Sequence, residues 1–348
     1  MKTIYADMTA GIDRKLMQKA GDILLSGGLV AFPTETVYGL GGNALDAEAS
    51  RKIYAAKGRP SDNPLIVHIA EFDALERIVT EVPQEARDLA DAFWPGPMTM
   101  ILNKNDRVPA STTGGLGTVA IRMPDNDIAA EMIRAGGGYV AAPSANTSGR
   151  PSPTKAEHVA EDLNGKIDMI IDGGTVDIGL ESTIVDLTDG APTILRPGYI
   201  NQEMLTKVLG EVEMDRGLIA PESGVHPKAP GMKYRHYAPK ADLIIVEGEA
   251  EKVRRKINEL VQQQISEGKK VGVIGTDESL SYYKDGDVRS IGSRKDEITI
   301  AQHLFGLLRE FDESDISVIY SEAFETPQIG QAIMNRLIKA AGHQIIRV

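Results

Sequence analysis

The sequence predicts a mixed α/β protein in two parts, a loop-rich part over residues 1–216 and a small, mostly parallel α/β part over residues 241–348, joined by a linker over 217–240. Three observations carry this reading. Of the 18 prolines, 17 precede residue 241 and only Pro327 follows it. The last 108 residues hold nine of the 35 glycines and alternate apolar strands with amphipathic helices. The first 200 residues use the same kinds of element, but long Gly- and Pro-rich connections separate them.

In the first part, apolar spacing predicts a helix over Asp13 to Ser26 that buries Leu16, Ile23 and Leu24. Further helices are expected over Ala47 to Lys57, Pro83 to Phe93, Ile128 to Ala135 and Lys155 to Leu163. Strands are expected over Leu29 to Phe32, Leu65 to Ile69, Met98 to Leu102, Thr118 to Met123, Tyr139 to Ala142, Met169 to Ile171, Thr183 to Leu187 and Thr193 to Leu195. In the last part, Leu243 to Val246, Val271 to Ile274 and Ile316 to Tyr320 read as strands. Helical stripes run through Val253–Ile257–Leu260–Val261–Ile265, through Ile300–Leu304–Leu307–Leu308–Phe311 and through Ile329–Ile333–Leu337. Strands and helices alternating at these lengths imply a small parallel sheet covered on both faces. The linker contains Pro221, Pro227, Pro230 and Pro239 and has little periodicity of its own.

Composition narrows the chemistry. The chain has no cysteine, which excludes disulfides, thiolate nucleophiles and iron–sulfur clusters. Its 38 basic and 50 acidic side chains give a net charge of −12, and residues 1–240 carry 24 basic and 32 acidic groups, net −8. An RNA-binding module with a concave basic cleft is the competing class of function. That acidic background disfavours a broad RNA track and suits one local anion pocket. The sequence has no charged leader with an apolar core and no run of 18 apolar residues, so a cytoplasmic protein without membrane contact is expected. No G-x-x-x-x-G-K-[ST] phosphate loop occurs. The six histidines show no metal-ligand spacing.

Several segments remain as candidates. Phe32 to Gly42 leaves an apolar strand with two threonines, one acid and three glycines, and reads either as a ligand-approaching turn or as a tight structural loop. Lys57-Gly58-Arg59-Pro60-Ser61-Asp62-Asn63-Pro64 places two cations and an amide between prolines. This suits a triphosphate, or simply a helix C-terminus complemented by cations. Arg122 lies in the apolar strand Val119-Ala120-Ile121-Arg122-Met123, where a buried guanidinium requires a carboxylate from the chain or from a ligand. Ala142-Pro143-Ser144-Ala145-Asn146-Thr147-Ser148-Gly149-Arg150-Pro151-Ser152 follows a strand with hydroxyls, an amide and a cation. Glu181-Ser182-Thr183 and Arg196-Pro197-Gly198 add more. In the linker, Met232-Lys233-Tyr234-Arg235-His236-Tyr237-Ala238-Pro239 reads as a flap over an anionic, aromatic ligand or as a basic surface patch.

Taken in order, these segments resemble the threonylcarbamoyl-AMP synthase family in its two-domain form. Lys57-Gly58-Arg59 is similar to the family's K-x-R and Ser144-Ala145-Asn146 to its S/T-x-N. The Pro33-to-Gly39 turn, the Ala120-Ile121-Arg122 strand and the Met232-to-Pro239 linker complete the match. The resemblance implies a YrdC-like twisted mixed sheet with helices forming a concave active-site cleft, the linker as a lid, and a Rossmann-like C-terminal domain. It further implies conversion of L-threonine, bicarbonate and ATP to threonylcarbamoyl-AMP and pyrophosphate, with Mg2+ carried by ATP. The product would pass to a separate transferase acting on tRNA, with only weak direct tRNA contact. By the same resemblance, Thr36, His68, Arg122, Ala142 and Ser182 surround threonine. Arg59, Asn63, Thr118, Ser144, Asn146, Ser152, Arg196 and Tyr234 hold ATP, and Lys57 with Arg59 serves the chemistry at the phosphates.

Overall fold

The computed structural model describes residues 2–215, 218, 236–324 and 327–348. The chain divides into two compact units, the first comprising Met1–Ser148, Ser152–Asp177 and Glu181–Lys233. The second comprises Gly149–Pro151, Ile178–Leu180 and Tyr234–Val348. Most of the linker read over 217–240, including Tyr234, lies outside the described residues.

The first unit is built on a mixed sheet of eleven strands. In chain order these are β1 (Ile4–Asp7), β2 (Val30–Phe32), β3 (Gly39–Asn43), β4 (Ile66–His68), β5 (Met98–Asn103), β6 (Thr118–Arg122), β7 (Val140–Ala142), β8 (Met169–Asp172), β9 (Thr183–Asp186), β10 (Thr193–Arg196) and β11 (Glu213–Met214). Their order across the sheet is β1-β8-β2-β3-β7-β4-β6-β5-β9-β10-β11. Six helices accompany them among the described residues: α1 (Arg14–Leu25), α2 (Ala47–Lys57), α3 (Gln84–Phe93), α4 (Asp127–Ala135), α5 (Ala156–Leu163) and α6 (Gln202–Leu209). Strand alternation sends successive side chains to opposite faces. Val30 and Phe32 of β2 accordingly join Met17, Ala20 and Leu24 of α1 and Met132 and Ile133 of α4 in one core. Ala31 joins Ile53, Leu89, Val159 and Leu205 from α2, α3, α5 and α6 in the other.

The predicted helices and strands of this unit are present, and their ends are set by local chemistry. Asp13 caps α1 by accepting from the backbone N–H of Lys15 and Leu16. Gly58 ends α2 in the left-handed conformation, φ 63°, and donates to Tyr54 and Ala55 carbonyls. Periodicity did not reveal β1, β3, α6 or β11. The case of β3 corrects the reading of Phe32 to Gly42 as a single turn. The turn ends at Tyr38, and Gly39-Leu40-Gly41-Gly42-Asn43 pairs antiparallel with β2. These glycines clear space for neighbours: a Cβ at Gly41 lies 2.7 Å from Val140 Cγ1, and one at Gly39 lies 3.0 Å from Phe32 Cζ.

The second unit has five strands, β12 (Asp242–Glu247), β13 (Val271–Gly275), β14 (Asp287–Ser290), β15 (Val318–Glu322) and β16 (Ile345–Arg347). They run in the order β14-β13-β15-β12-β16, and every described pairing is parallel. Helices α7 (Ala250–Ser266), α8 (Glu297–Asp312) and α9 (Gly330–Ala340) make the crossovers. The Ile316-to-Tyr320 strand sits two residues later than its apolar pattern suggested, and β14 and β16 escaped detection because their side chains are only partly buried.

Gly41→Ala should lower stability by about 1–3 kcal/mol through overpacking against Val140. Calorimetry should show a lower melting temperature for the transition of the first unit and an unchanged one for the second.

Candidate active site

Strand register assembles the first cluster. β4 runs parallel to β6 with His68 paired to Arg122, and β5 runs antiparallel to β6 with Thr99 paired to Arg122. Three polar side chains thus meet across the middle of a sheet whose faces are otherwise apolar. Arg122 is 4% exposed. Its Nη1 donates to Thr36 Oγ1 at 2.8 Å and its Nη2 lies 2.6 Å from Glu35 Oε2. The chain itself therefore supplies the anionic partner demanded by the apolar strand. Glu35 is equally buried, and neither of its carboxylate oxygens nor Arg122 Nη2 makes a well-aligned hydrogen bond among the described residues, so the pair is held by charge rather than by hydrogen-bond geometry. Burial, followed by the Glu35 charge, raises the nearby Asp125 carboxyl above its ordinary value.

Thr34 organises the turn that delivers Glu35 and Thr36. Its Oγ1 accepts from the Thr36 and Val37 N–H groups and donates to the Val37 carbonyl at 2.6 Å. On the far side, Thr99 Oγ1 lies 2.8 Å from Ser182 Oγ. Arg196 holds Ser182 twice, from Nε to its carbonyl at 3.0 Å and from Nη2 to its hydroxyl at 3.1 Å. Ala142 ends β7, whose neighbour β4 pairs Ile66 with it. All five residues expected around threonine are therefore in one neighbourhood, and Arg196, expected on ATP, borders it.

His68 is fully enclosed. Its Nδ1 donates to the Ile66 carbonyl at 3.1 Å and its ring meets Phe32 edge-on at 5.8 Å. Burial first, and then the Arg122 charge, lower its pKa from 6.5 to about 3. The ring is neutral at physiological pH.

The second cluster forms where the end of α2 meets the loop after β7. Lys57 is 1% exposed. Its ammonium donates to the carbonyls of Ser144, at 2.5 Å, and of Asn146, and Asn146 Oδ1 lies 3.4 Å away. Ser144 Oγ donates to Asn146 Oδ1 at 2.5 Å, while the Lys57 carbonyl accepts from Ser148 N–H at 2.8 Å. The K-x-R and S-x-N segments, 87 residues apart, are thereby tied directly together. Arg59 reaches back to the carbonyls of Asn63 and Pro64. Asn63 is buried with its Oδ1 lacking a hydrogen-bond partner among the described residues. Ser152, also expected on ATP, is fully buried and donates to Glu181 Oε1 at 2.6 Å. Thr118 opens β6 four residues before Arg122, about 13 Å along the strand. A hollow of about 760 Å3 lies beside Lys57, Gly58 and Thr147. The other lysines on its wall, Lys52 and Lys166, donate to the carbonyls of Gly27 and Asp162.

Sequence reasoning passed over Glu35, Thr99 and Glu181. A single hydroxyl inside Met98-Thr99-Met100-Ile101-Leu102 was the available signal for Thr99. A single acid between two threonines at the exit of β2 was the signal for Glu35.

Because the folded state holds His68 neutral, with its pKa depressed, its contribution to stability is fully present above pH 6.5. That contribution is lost as pH falls toward about 3. The imidazole signals in an NMR titration should stay at their neutral positions as pH drops through 6.5. His68→Gln should flatten the acid side of the stability profile. Glu35→Ala, which leaves a buried guanidinium unpaired, should cost about 3–5 kcal/mol, read as a large drop in melting temperature that Glu35→Asp partly restores.

Two family models match the chain. One, described as telomere recombination and named for Sua5, YciO and YrdC proteins, covers residues 22–198. The other, the threonylcarbamoyl-AMP synthase C-terminal domain, covers residues 200–342. The threonylcarbamoyl-AMP synthase of Pyrococcus abyssi is 51% identical over 346 residues, 99% of this chain and 100% of the relative. That of Bacillus subtilis is 49% identical over 350 residues, 99% of each. A crystal structure of P. abyssi Sua5 complexed with L-threonine superposes with a TM-score of 0.94 at 50% identity, covering 99% of this chain and 100% of that one. Among the described residues, no helix is long and apolar enough to cross a membrane. With the two clusters in place and both of its units matched over nearly their whole length, the chain belongs to the two-domain threonylcarbamoyl-AMP synthase family and is a nucleotidyltransferase of that activity.

Proposed function

We propose that the Arg122 cluster is the amino-acid subsite and that the Lys57–Asn146 cluster, with Arg59, receives the phosphates of ATP. The observation that carries this division is the register that sets His68 and Thr99 on either side of Arg122, with Thr36 and Ser182 bonded on. In this reading threonine enters beside Arg122, whose fixed guanidinium attracts its carboxylate. Thr36, Ser182 and the Ala142 backbone surround the rest of the amino acid. The L-threonine complex of the P. abyssi relative supports the choice of substrate.

The threonine amine and bicarbonate give a carbamate and water. A carbamate oxygen then forms a bond to the α-phosphorus of ATP, the bond from that phosphorus to the bridging oxygen breaks, and pyrophosphate leaves. Such a transfer depends on positioning and charge neutralisation more than on a protein nucleophile. Neutral His68 adds no positive charge beside Arg122. Lys57 acts by holding the Ser144–Asn146 loop in shape, because its ammonium is bound to that loop's carbonyls. Arg59, Asn63, Thr118, Ser144, Ser152 and Arg196 complete the nucleotide side, and Tyr234 is assigned to it by resemblance. Magnesium suits the ATP phosphates: no group of three or more His, Asp or Glu that could hold a metal occurs among the described residues, and Mg2+ commonly binds through substrate phosphates and water. We assign the product to a separate tRNA-modifying transferase.

Purified protein should release pyrophosphate from ATP only when threonine and bicarbonate are both present. Release indifferent to omission of either would sink the assignment. Arg122→Lys, which keeps the charge opposite Glu35 and removes the fork, should weaken threonine by about tenfold or more while changing ATP affinity much less. Calorimetric titration of each ligand gives the two constants, and an equal loss for both would move Arg122 out of the amino-acid subsite.

A further inference from the structure

The parallel sheet of the second unit has a crevice with no part in the chemistry above. β12 and β15 are neighbours, yet their connections leave in opposite directions along the sheet. From β12, α7 leads across β15 to β13, and from β15, α9 leads across β12 to β16. Right-handed crossovers therefore place α7 and α9 on opposite faces. Consistent with this, Val253, Ile257 and Val261 of α7 pack on Val246, Val273 and Tyr320 on one face. A gap opens between the carboxyl ends of the two strands. Open α/β sheets bind ligands at such switch points.

A cavity of about 520 Å3 occupies this point, lined by Val246, Glu247 and Gly248 of the β12 exit, Ala250, Val253 and Arg254 of α7, Arg294, and Glu322 and Ala323 of the β15 exit. Its charges are unevenly satisfied. Glu322, 4% exposed, accepts from Tyr283 Oη at 2.6 Å and from Arg294 Nη2 at 2.5 Å. Arg294 also donates to the Ala323 carbonyl at 2.9 Å. Glu247 is paired with Arg347 at 3.2 Å. Arg254 is the exception. Its part-exposed guanidinium stacks over the ring of Tyr282, itself 51% exposed, at 4.0 Å, and it has no hydrogen-bond or carboxylate partner among the described residues. The amino end of α7 is met by its own carboxylates, Glu249 accepting from the Glu251 N–H and Glu251 in the first turn, so Arg254 is the charge at this mouth open to an anion. Ala250 and Ala323 give the cavity an accessible apolar edge, with Val246 and Val253 buried directly beneath it.

We propose that this cavity is a second ligand site, for a phosphate monoester of about nucleoside-monophosphate size, with the phosphate on Arg254 and the organic body against Ala250 and Ala323 above the buried Val246 and Val253. A preset guanidinium fork without a partner matches a phosphate, and the volume matches a single nucleotide or sugar phosphate rather than a polymer.

The test follows the methyl signals of Val246 and Val253 in the full-length protein while AMP, ribose 5-phosphate or adenosine is added. AMP should move both signals saturably, and adenosine, which has no phosphate, should bind at least about tenfold more weakly at these methyls. Ribose 5-phosphate distinguishes the two sources of the phosphate: binding equal to AMP assigns a sugar phosphate, and weaker binding assigns a nucleotide. Arg254→Ala should raise the AMP midpoint at these methyls by about tenfold or more, with unchanged pyrophosphate release and an unchanged melting profile. The absence of a saturable shift at AMP concentrations well above those that saturate the first unit would overturn the proposal, as would an unchanged midpoint in Arg254→Ala. Because the readout lies in the second unit, its failure is separable from failure of the synthase assignment.

Discussion

The buried pair of Arg122 and Glu35 is the constraint around which the first unit is arranged. Stripping water from two such ions costs several kcal/mol each, and the Coulomb attraction offsets this only where geometry is good and hydrogen bonds satisfy what remains. The sheet provides part of that satisfaction. Strand register brings Thr99 and His68 to either side of the guanidinium, and the Thr34-centred turn delivers Thr36 to Nη1 and Glu35 to Nη2. The satisfaction is incomplete, since both Glu35 carboxylate oxygens and Arg122 Nη2 are left without a hydrogen bond among the described residues. A well-packed apolar pair would stabilise the sheet at least as well, so stability alone does not account for the pair, and the amino-acid subsite proposed above does.

The second cluster uses charge differently. Lys57 closes a helix and ties its end to the distant Ser144–Asn146 loop by donating to that loop's carbonyls. A cation that looks like a phosphate ligand in a linear motif thus works first as a rigid tie. The rigidity matters for the chemistry: transfer to an α-phosphorus is accelerated by groups already in place and by excluded reorganisation. Both clusters draw on loops that leave the same mixed sheet, so one scaffold positions the two proposed subsites. In the second unit the same economy recurs with a parallel sheet, whose switch point is lined by charges of which one, on Arg254, is left over.

Much of this was legible without coordinates. Every helix of the first unit except α6 followed from its apolar stripe. The five ordered segments, from the Pro33-to-Gly39 turn to the Met232-to-Pro239 linker, marked out the family. The elements that escaped share a physical cause. β3 is mostly glycine and carries almost no side-chain pattern, and β14 and β16 lie at the edges of their sheet and are half-exposed. Alternation cannot mark a strand that has no side chains to alternate or no buried face to fill.

By itself the sequence determined the α/β class, the two-part division, the absence of thiol chemistry and the identity of the motif residues, because composition and local periodicity are properties of neighbours along the chain. Only the tertiary structure decided who meets whom. It showed that Arg122 is answered by Glu35, that Gly41 is a packing glycine rather than a ligand-approaching one, and that the Lys57 ammonium is bound to the Ser144–Asn146 loop. Strand order and register fix those partners across many tens of residues, and no local pattern encodes a pairing whose two halves lie on different strands.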